Sequence, residues 1–159
     1  MKSSHNTGFG LVEVVIGAAI ITLFIGAAIS TVAGATRLES DLISKIEAQY
    51  LAEEGIEVVR ILRDTSWQTN IAPVILNTPY YLNFDGSNWI LSSTPNLVDN
   101  KFTRKVTFAA GYRNTNSDIA SSGTADTDLR LITVTVTWPS RGGTGSVSLA
   151  TYLTNLFAN

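Results

Sequence analysis

The sequence predicts an α+β protein: one long N-terminal helix, its first half transmembrane and protruding, its second half packed on a C-terminal antiparallel β-sheet. Three observations lead there. Glu13 is the only charged residue from Phe9 to Ala35, an apolar run longer than a membrane crossing requires. From Leu38 onward, apolar residues return every fourth position among charges, the period of a half-buried helix. Beyond Asp64 the period falls to two, the mark of strands with one buried face.

Residues 1–8, MKSSHNTG, form a short polar leader in which Lys2 is the only fixed side-chain charge. Residues 9–36 form the transmembrane helix, roughly 40 Å long at the standard rise. Residues 37–64 continue it as an amphipathic helix. Leu38, Leu42, Ile46 and Tyr50 recur every four residues, and Leu51, Val58 and Leu62 prolong the apolar side. This stripe is the expected cover for the sheet. Asp41 and Lys45, and Arg60 and Asp64, stand four apart and suit ion pairs; Glu57 and Arg60 stand three apart. Arg60 and Arg63 also suit a helix C-terminus, where the macrodipole favours cations. No proline interrupts Phe9 to Asp64, so one helix of about 55 residues, roughly 80 Å, is expected.

Residues 65–159 form the β-rich head. Tyr80–Phe84, a turn at DGSN and Trp89–Leu91 read as a hairpin. In KFTRKVTFAAGY, Phe102, Arg104, Val106 and Phe108 alternate with Thr103, Lys105 and Thr107. In LITVTVTW, Ile132, Val134, Val136 and Trp138 face one way and three threonines the other. RGGTG then turns the chain into SVSLATYL, with Val147, Leu149, Thr151 and Leu153 on one face. Half-buried antiparallel strands joined by short connections follow from this pattern.

Composition narrows function. A chain of 159 residues suits one domain. It has no cysteine, so no disulfide staples it, and its one histidine is His5. Removal of the leader leaves neither residue, which argues against acid–base catalysis by histidine and against zinc. A non-enzymatic protein without cofactor or metal is expected. The formal charge is −2 and the 11 basic residues are scattered, so no basic stripe points to nucleic acid.

Glu13 then needs a purpose, because an ionised side chain at membrane depth costs about 3 kcal/mol or more. An ordinary signal peptide has a shorter apolar core, about 7–15 residues, and a small-residue cleavage site after it. Ala33-Gly34-Ala35 loosely fits such a site, but a signal peptide leaves Glu13 without a role. A plain membrane anchor does the same.

Residues 8–13, GFGLVE, followed by an unbroken apolar helix, resemble the cleavage and methylation site of type IV pilins and type II secretion pseudopilins. The resemblance implies that a prepilin peptidase cuts after Gly8 and methylates the new N-terminus at Phe9. Glu13 matches the family glutamate, fifth in the mature chain, which acts in subunit assembly. LAEEGIEVVRILRD and VTVTWPSRGGTGSVSLATYLTN are similar to minor pilins and to some pseudopilins. Three departures stand out: Gly10 where the family more often has Thr or Ser, no cysteine pair near the C-terminus, and no proline in the membrane helix. Gly26 and Gly34 are the residues left to loosen that helix.

The implied function is that of a structural subunit, major or minor pilin, of a type IV pilus-like filament. The implied partners are other pilin subunits, the prepilin peptidase, an inner-membrane assembly platform, and membrane lipids before assembly. The implied location is a single crossing of the cytoplasmic membrane with the head outside, then a cell-surface or periplasmic filament. A pseudopilin of a type II secretion or DNA-uptake system is the alternative. A membrane-anchored binding module that never polymerises is a third reading. Physically, cleavage leaves a basic nitrogen on Phe9 within about a turn and a half of Glu13. Carboxylate and ammonium are each costly unpaired in a low-dielectric bundle, so pairing between neighbouring subunits would fix axial register.

Other signals are weaker. Gly26, Ser30 and Gly34 make a small-residue stripe that suits close helix packing. Asn114, Asn116 and Asp118 begin like a calcium loop, with Asp126 and Asp128 nearby, but the glycine and closing glutamate are missing. RGGTG lacks the lysine and helix of a phosphate loop. Glu53, Glu54 and Glu57 read as the solvent face of the helix, and Trp67, Trp89 and Trp138 as core or interface aromatics.

Overall fold

The computed structural model describes Gly10 to Leu156. The elements are α1 (Leu11–Thr65), α2 (Trp67–Asn70), β1 (Pro79–Phe84), β2 (Trp89–Ser92), β3 (Leu97–Val98), β4 (Phe102–Arg113), β5 (Ile119–Ala120), β6 (Thr124–Ser140) and β7 (Gly143–Thr154). The chain divides into two compact units, Met1–Leu42 and Ile43–Asn159. The fold class is the α+β one expected from the sequence, with α1 55 residues long.

In the first unit α1 is regular from its first turn, where the Glu13 and Val14 amides both donate to the Gly10 carbonyl. It runs through Gly26 and Gly34 as α-helix, so neither glycine breaks it. Thr22, Ser30, Thr31 and Thr36 donate their hydroxyls to carbonyls three or four residues back. Each of these polar side chains is thereby satisfied within its own helix.

In the second unit the strands form one antiparallel sheet in the order β2-β1-β4-β6-β7, with β3 and β5 pairing along β4. The alternation read from the sequence sets its faces. Phe102, Val106, Phe108, Ile132, Val134, Val136 and Trp138 point to the core, while the threonines between them stay half-buried. The Asp85 carboxylate closes the β1–β2 turn by accepting from the Ser87 and Asn88 amides. Those two bonds, the Asn88 one first, hold its carboxyl below the usual aspartate range.

The helix covers this sheet with part of the expected stripe: Val58 and Leu62 are buried and Leu51 is half-buried, as read, but the stripe's earlier members are not. Ser44, Ala48, Ala52, Gly55, Val58, Val59 and Leu62 are buried. Ile46 and Tyr50 remain 54% and 67% exposed, and Leu38 and Leu42 are exposed as well. Ser44, Ala48 and Ala52 lie two positions from Leu42, Ile46 and Tyr50. At about 100° per residue, two positions place the stripes on nearly opposite sides of the helix. The reason is distance. A Cβ built on Gly55 would stand 2.8 Å from Val134 Cγ1, so the sheet comes too near for large side chains there.

One ionic expectation is also revised. Arg60 pairs with Glu57 as read, but Asp64 is taken by Arg63, its neighbour, at 2.8 Å. The Asn70 side-chain amide reaches back to the Leu62 carbonyl at 2.9 Å, a second donor to an acceptor that the Ser66 amide also engages near the end of α1.

Glu54 departs from its neighbours. Its carboxylate is half open to water, yet it accepts from Nη1 of Arg104, 2.8 Å away, whose side chain is only 3% exposed. The same nitrogen donates to the Leu51 carbonyl, and the guanidinium lies 5.5 Å from the Trp89 ring centre. Removing one partner of a buried pair costs about 3–5 kcal/mol because it strands a charge. The open glutamate end lowers that here, so Glu54→Ala is expected to cost about 2 kcal/mol. Glu53→Ala, on the same solvent face, should change stability by less than about 0.5 kcal/mol. Urea denaturation of the detergent-solubilised chain compares them, and equal midpoints would exclude a structural role for the Arg104 pair.

Candidate functional site

Gly8 and Phe9, the expected cleavage and methylation residues, lie outside the described residues, so Glu13 is the candidate site residue with a described position. It sits in the first turn of α1 and is exposed. There its charge meets the positive end of the helix dipole, a benefit of about 0.3–1 kcal/mol. That is smaller than the cost of about 2.5–3.5 kcal/mol for an aspartate at the centre of a membrane helix. The helix end alone would therefore not offset the cost of that carboxylate if this turn lay inside a membrane.

Around and beyond Glu13 the helix keeps its apolar surface bare. Leu11, Val12, Leu23, Phe24, Ile29 and Val32 are all more than half exposed. Gly17, Gly26 and Gly34 have open space where a Cβ would stand. By length and composition α1 is able to cross a membrane once. Among the described residues nothing stands within 4 Å of a Cβ built on Gly26 or Gly34, the two glycines of its small-residue stripe.

The second unit offers other polar groupings. Between α1 and the β3–β4 turn lies an open cleft of about 510 Å³ lined by Glu47, Tyr50, Leu51, Asp99, Lys101 and Phe102. Lys101 is spoken for: its Nζ donates to Ser44 Oγ at 2.9 Å and to Glu47 at 3.0 Å. This ties the turn to the helix, and Asp99 and Asn100 hold the turn in left-handed backbone conformations.

The calcium-like stretch is a turn that caps itself. Asn114 Oδ1 accepts from the amides of Asn116 and Asp118, and the Asn114 amide donates to the Asp118 carbonyl. Asp126 is engaged by Arg113 Nε at 2.6 Å and by the Asp128 amide. Arg113 first, then that amide, draws its carboxyl below the ordinary range. Among the described residues no group of three or more His, Cys, Asp or Glu side chains is placed to hold a metal. Trp67 and Trp138 are buried and Trp89 is half-buried against Phe84 and Arg104, in keeping with the core reading.

No family model, curated protein or solved structure matches this chain. What sequence reasoning missed lies in the second unit: the Arg104–Glu54 pair and the small-residue packing of Ser44, Ala48, Ala52 and Gly55 on α1. Arg104 falls in phase with Phe102, Val106 and Phe108, and a charge in phase with a core face was the signal that could have found its pair.

Proposed function

We propose that this chain is a structural subunit of a type IV pilus-like filament, built into it through α1 after cleavage behind Gly8 and methylation of Phe9. One observation carries the reading: among the described residues, an apolar helix able to cross a membrane buries none of that apolar stretch and bears a single carboxylate in its first turn. Such a surface needs lipid first and other helices later, because lipid and a helix bundle both satisfy it while water does not. The exposed stripe of Leu38, Leu42, Ile46 and Tyr50 extends the same argument beyond the transmembrane stretch, where no lipid covers it. Other subunits would.

Glu13 gives the assembly its register. Its carboxylate pairs with the methylated ammonium of a neighbouring subunit, and a subunit docked one turn out leaves both charges unpaired. Prepilin peptidase and an inner-membrane platform are the partners this sequence of events requires. The head lies outside the cytoplasmic membrane throughout, and the subunit ends in a surface or periplasmic filament. Mass analysis of the mature N-terminus from native cells tests the proposal. A start at Phe9 carrying one methyl group is expected. An intact Met1, or a start near Thr36, would overturn it.

A further inference from the structure

The sheet ends on two unequal edges. One is β2, four residues long; the other is β7, twelve residues long. A free edge presents a row of unpaired amides and carbonyls, and proteins commonly blunt it with charges, proline, bulges or shortness. Gly143–Thr154 uses none of these devices. It contains no charged residue and no proline, and its pairing with β6 runs in step from Ser140↔Gly143 to Leu129↔Thr154. Gly145 lets the Trp138 ring lie flat on the strand, since a Cβ there would stand 2.4 Å from Trp138 Cε2. The cover over the sheet also thins toward this edge. Ile132, Val134 and Val136 on β6 are fully buried, whereas on β7 Val147, Leu149 and Thr151 are only half-buried and Leu153, near its end, is fully buried.

We infer that β7 is a pairing edge for a second copy of this chain, strand against strand and antiparallel, joining two sheets into one. Self-pairing is the choice the edges favour. A β2 edge offers β7 a match of four residues, while another β7 offers the full strand. Opposed residues in an antiparallel pair point to the same face, so the two core faces coincide only when residues of equal parity meet. Centred on Ser148, the pairing sets Val147 opposite Leu149 on both sides of the axis and Thr151 opposite Gly145. Four half-buried aliphatic side chains then cover one another, and no charge opposes a charge. The two-fold closes on itself, so the product is a dimer and not a fibre. None of this depends on how Phe9 or Glu13 is used.

The chain's lack of cysteine makes the test clean. Ser148→Cys introduces one thiol on the axis, where opposed Cβ atoms lie about 4.5–5.5 Å apart, close to the reach of a disulfide. Copper phenanthroline, accepting the two electrons, is expected to join two copies of the full chain in detergent. Ser87→Cys, exposed in the β1–β2 turn and away from β7, should stay largely without a covalent cross-link. Ser148→Lys opposes two cations at the seam, and light scattering should show dimerisation weakened roughly tenfold, with the far-ultraviolet circular dichroism unchanged. A monomeric parent chain, a Ser148→Cys chain that fails to cross-link, or a dimer that persists undiminished in Ser148→Lys would each overturn the inference. The last result would place self-association on another surface, such as α1.

Discussion

Replacing Gly55 by leucine is expected to destabilise the head by about 3 kcal/mol, the upper end of the usual cost of overfilling a packed core. The position is the closest approach of α1 to the sheet that can be read from its glycines. A Cβ there stands 2.8 Å from Val134 Cγ1 and 3.2 Å from Arg104 Cδ. Val134 is fully buried and stiff at χ1, so it has nowhere to move. Arg104 is held by Glu54 and Leu51, so displacing it disturbs the ion pair as well. Alanine is the sharper test, because two effects of opposite sign compete. In a helix interior, Gly→Ala ordinarily stabilises by roughly 0.5–1 kcal/mol. The contact at Gly55 should exceed that gain, giving a net loss of about 1 kcal/mol. Gly26, with open space around it, supplies the control, and Gly26→Ala should not destabilise. Urea melts followed by circular dichroism decide the matter. A Gly55→Ala chain more stable than the parent would mean that the helix and sheet are not in tight contact there.

Gly55 also shows which parts of the fold were legible in the sequence. Strand faces were readable because alternation forces Ile132, Val134, Val136 and Trp138 to one side whatever they meet. The length of α1 was readable because nothing from Phe9 to Asp64 breaks a helix. The packing face of α1 was legible at Val58 and Leu62 but not in the turns before them. Hydrophobic bulk ranks Leu42, Ile46 and Tyr50 above Ser44, Ala48 and Ala52, but the face that wins is set by how near the sheet comes. That distance belongs to both partners and is written in neither segment alone. Arg104 was correctly placed on the core face, yet its acceptor lies 50 residues earlier on another element. The edge position of β7 likewise depends on the order of pairing and not on its own residues. In the candidate site, the lone charge at Glu13 was legible at once, because its surroundings are uniformly apolar.

Glu13→Leu is expected to reduce incorporation into filaments at least tenfold, while membrane insertion and cleavage behind Gly8 proceed normally. The helix itself should not suffer. Losing a carboxylate from an exposed first turn removes about 0.3–1 kcal/mol of dipole interaction, and leucine returns helix propensity and apolar surface. A defect therefore has to arise where subunits meet. In the proposed filament the variant would leave a methylated ammonium without its carboxylate in a low-dielectric bundle, and stranding a buried charge costs about 3–5 kcal/mol. Each 1.4 kcal/mol corresponds to a factor of about ten in the equilibrium, so even half of that cost exceeds the tenfold threshold. The ratio of chain in sheared surface filaments to chain in the membrane fraction, in native cells, gives the measurement. Glu13→Gln then separates charge from shape. Glutamine keeps the size and the acceptor oxygen but not the negative charge. Incorporation near that of leucine would identify the charge pair as the register device. Incorporation near that of the parent would reduce Glu13 to a hydrogen-bonding group, and a leucine variant that enters filaments normally would remove it from assembly altogether.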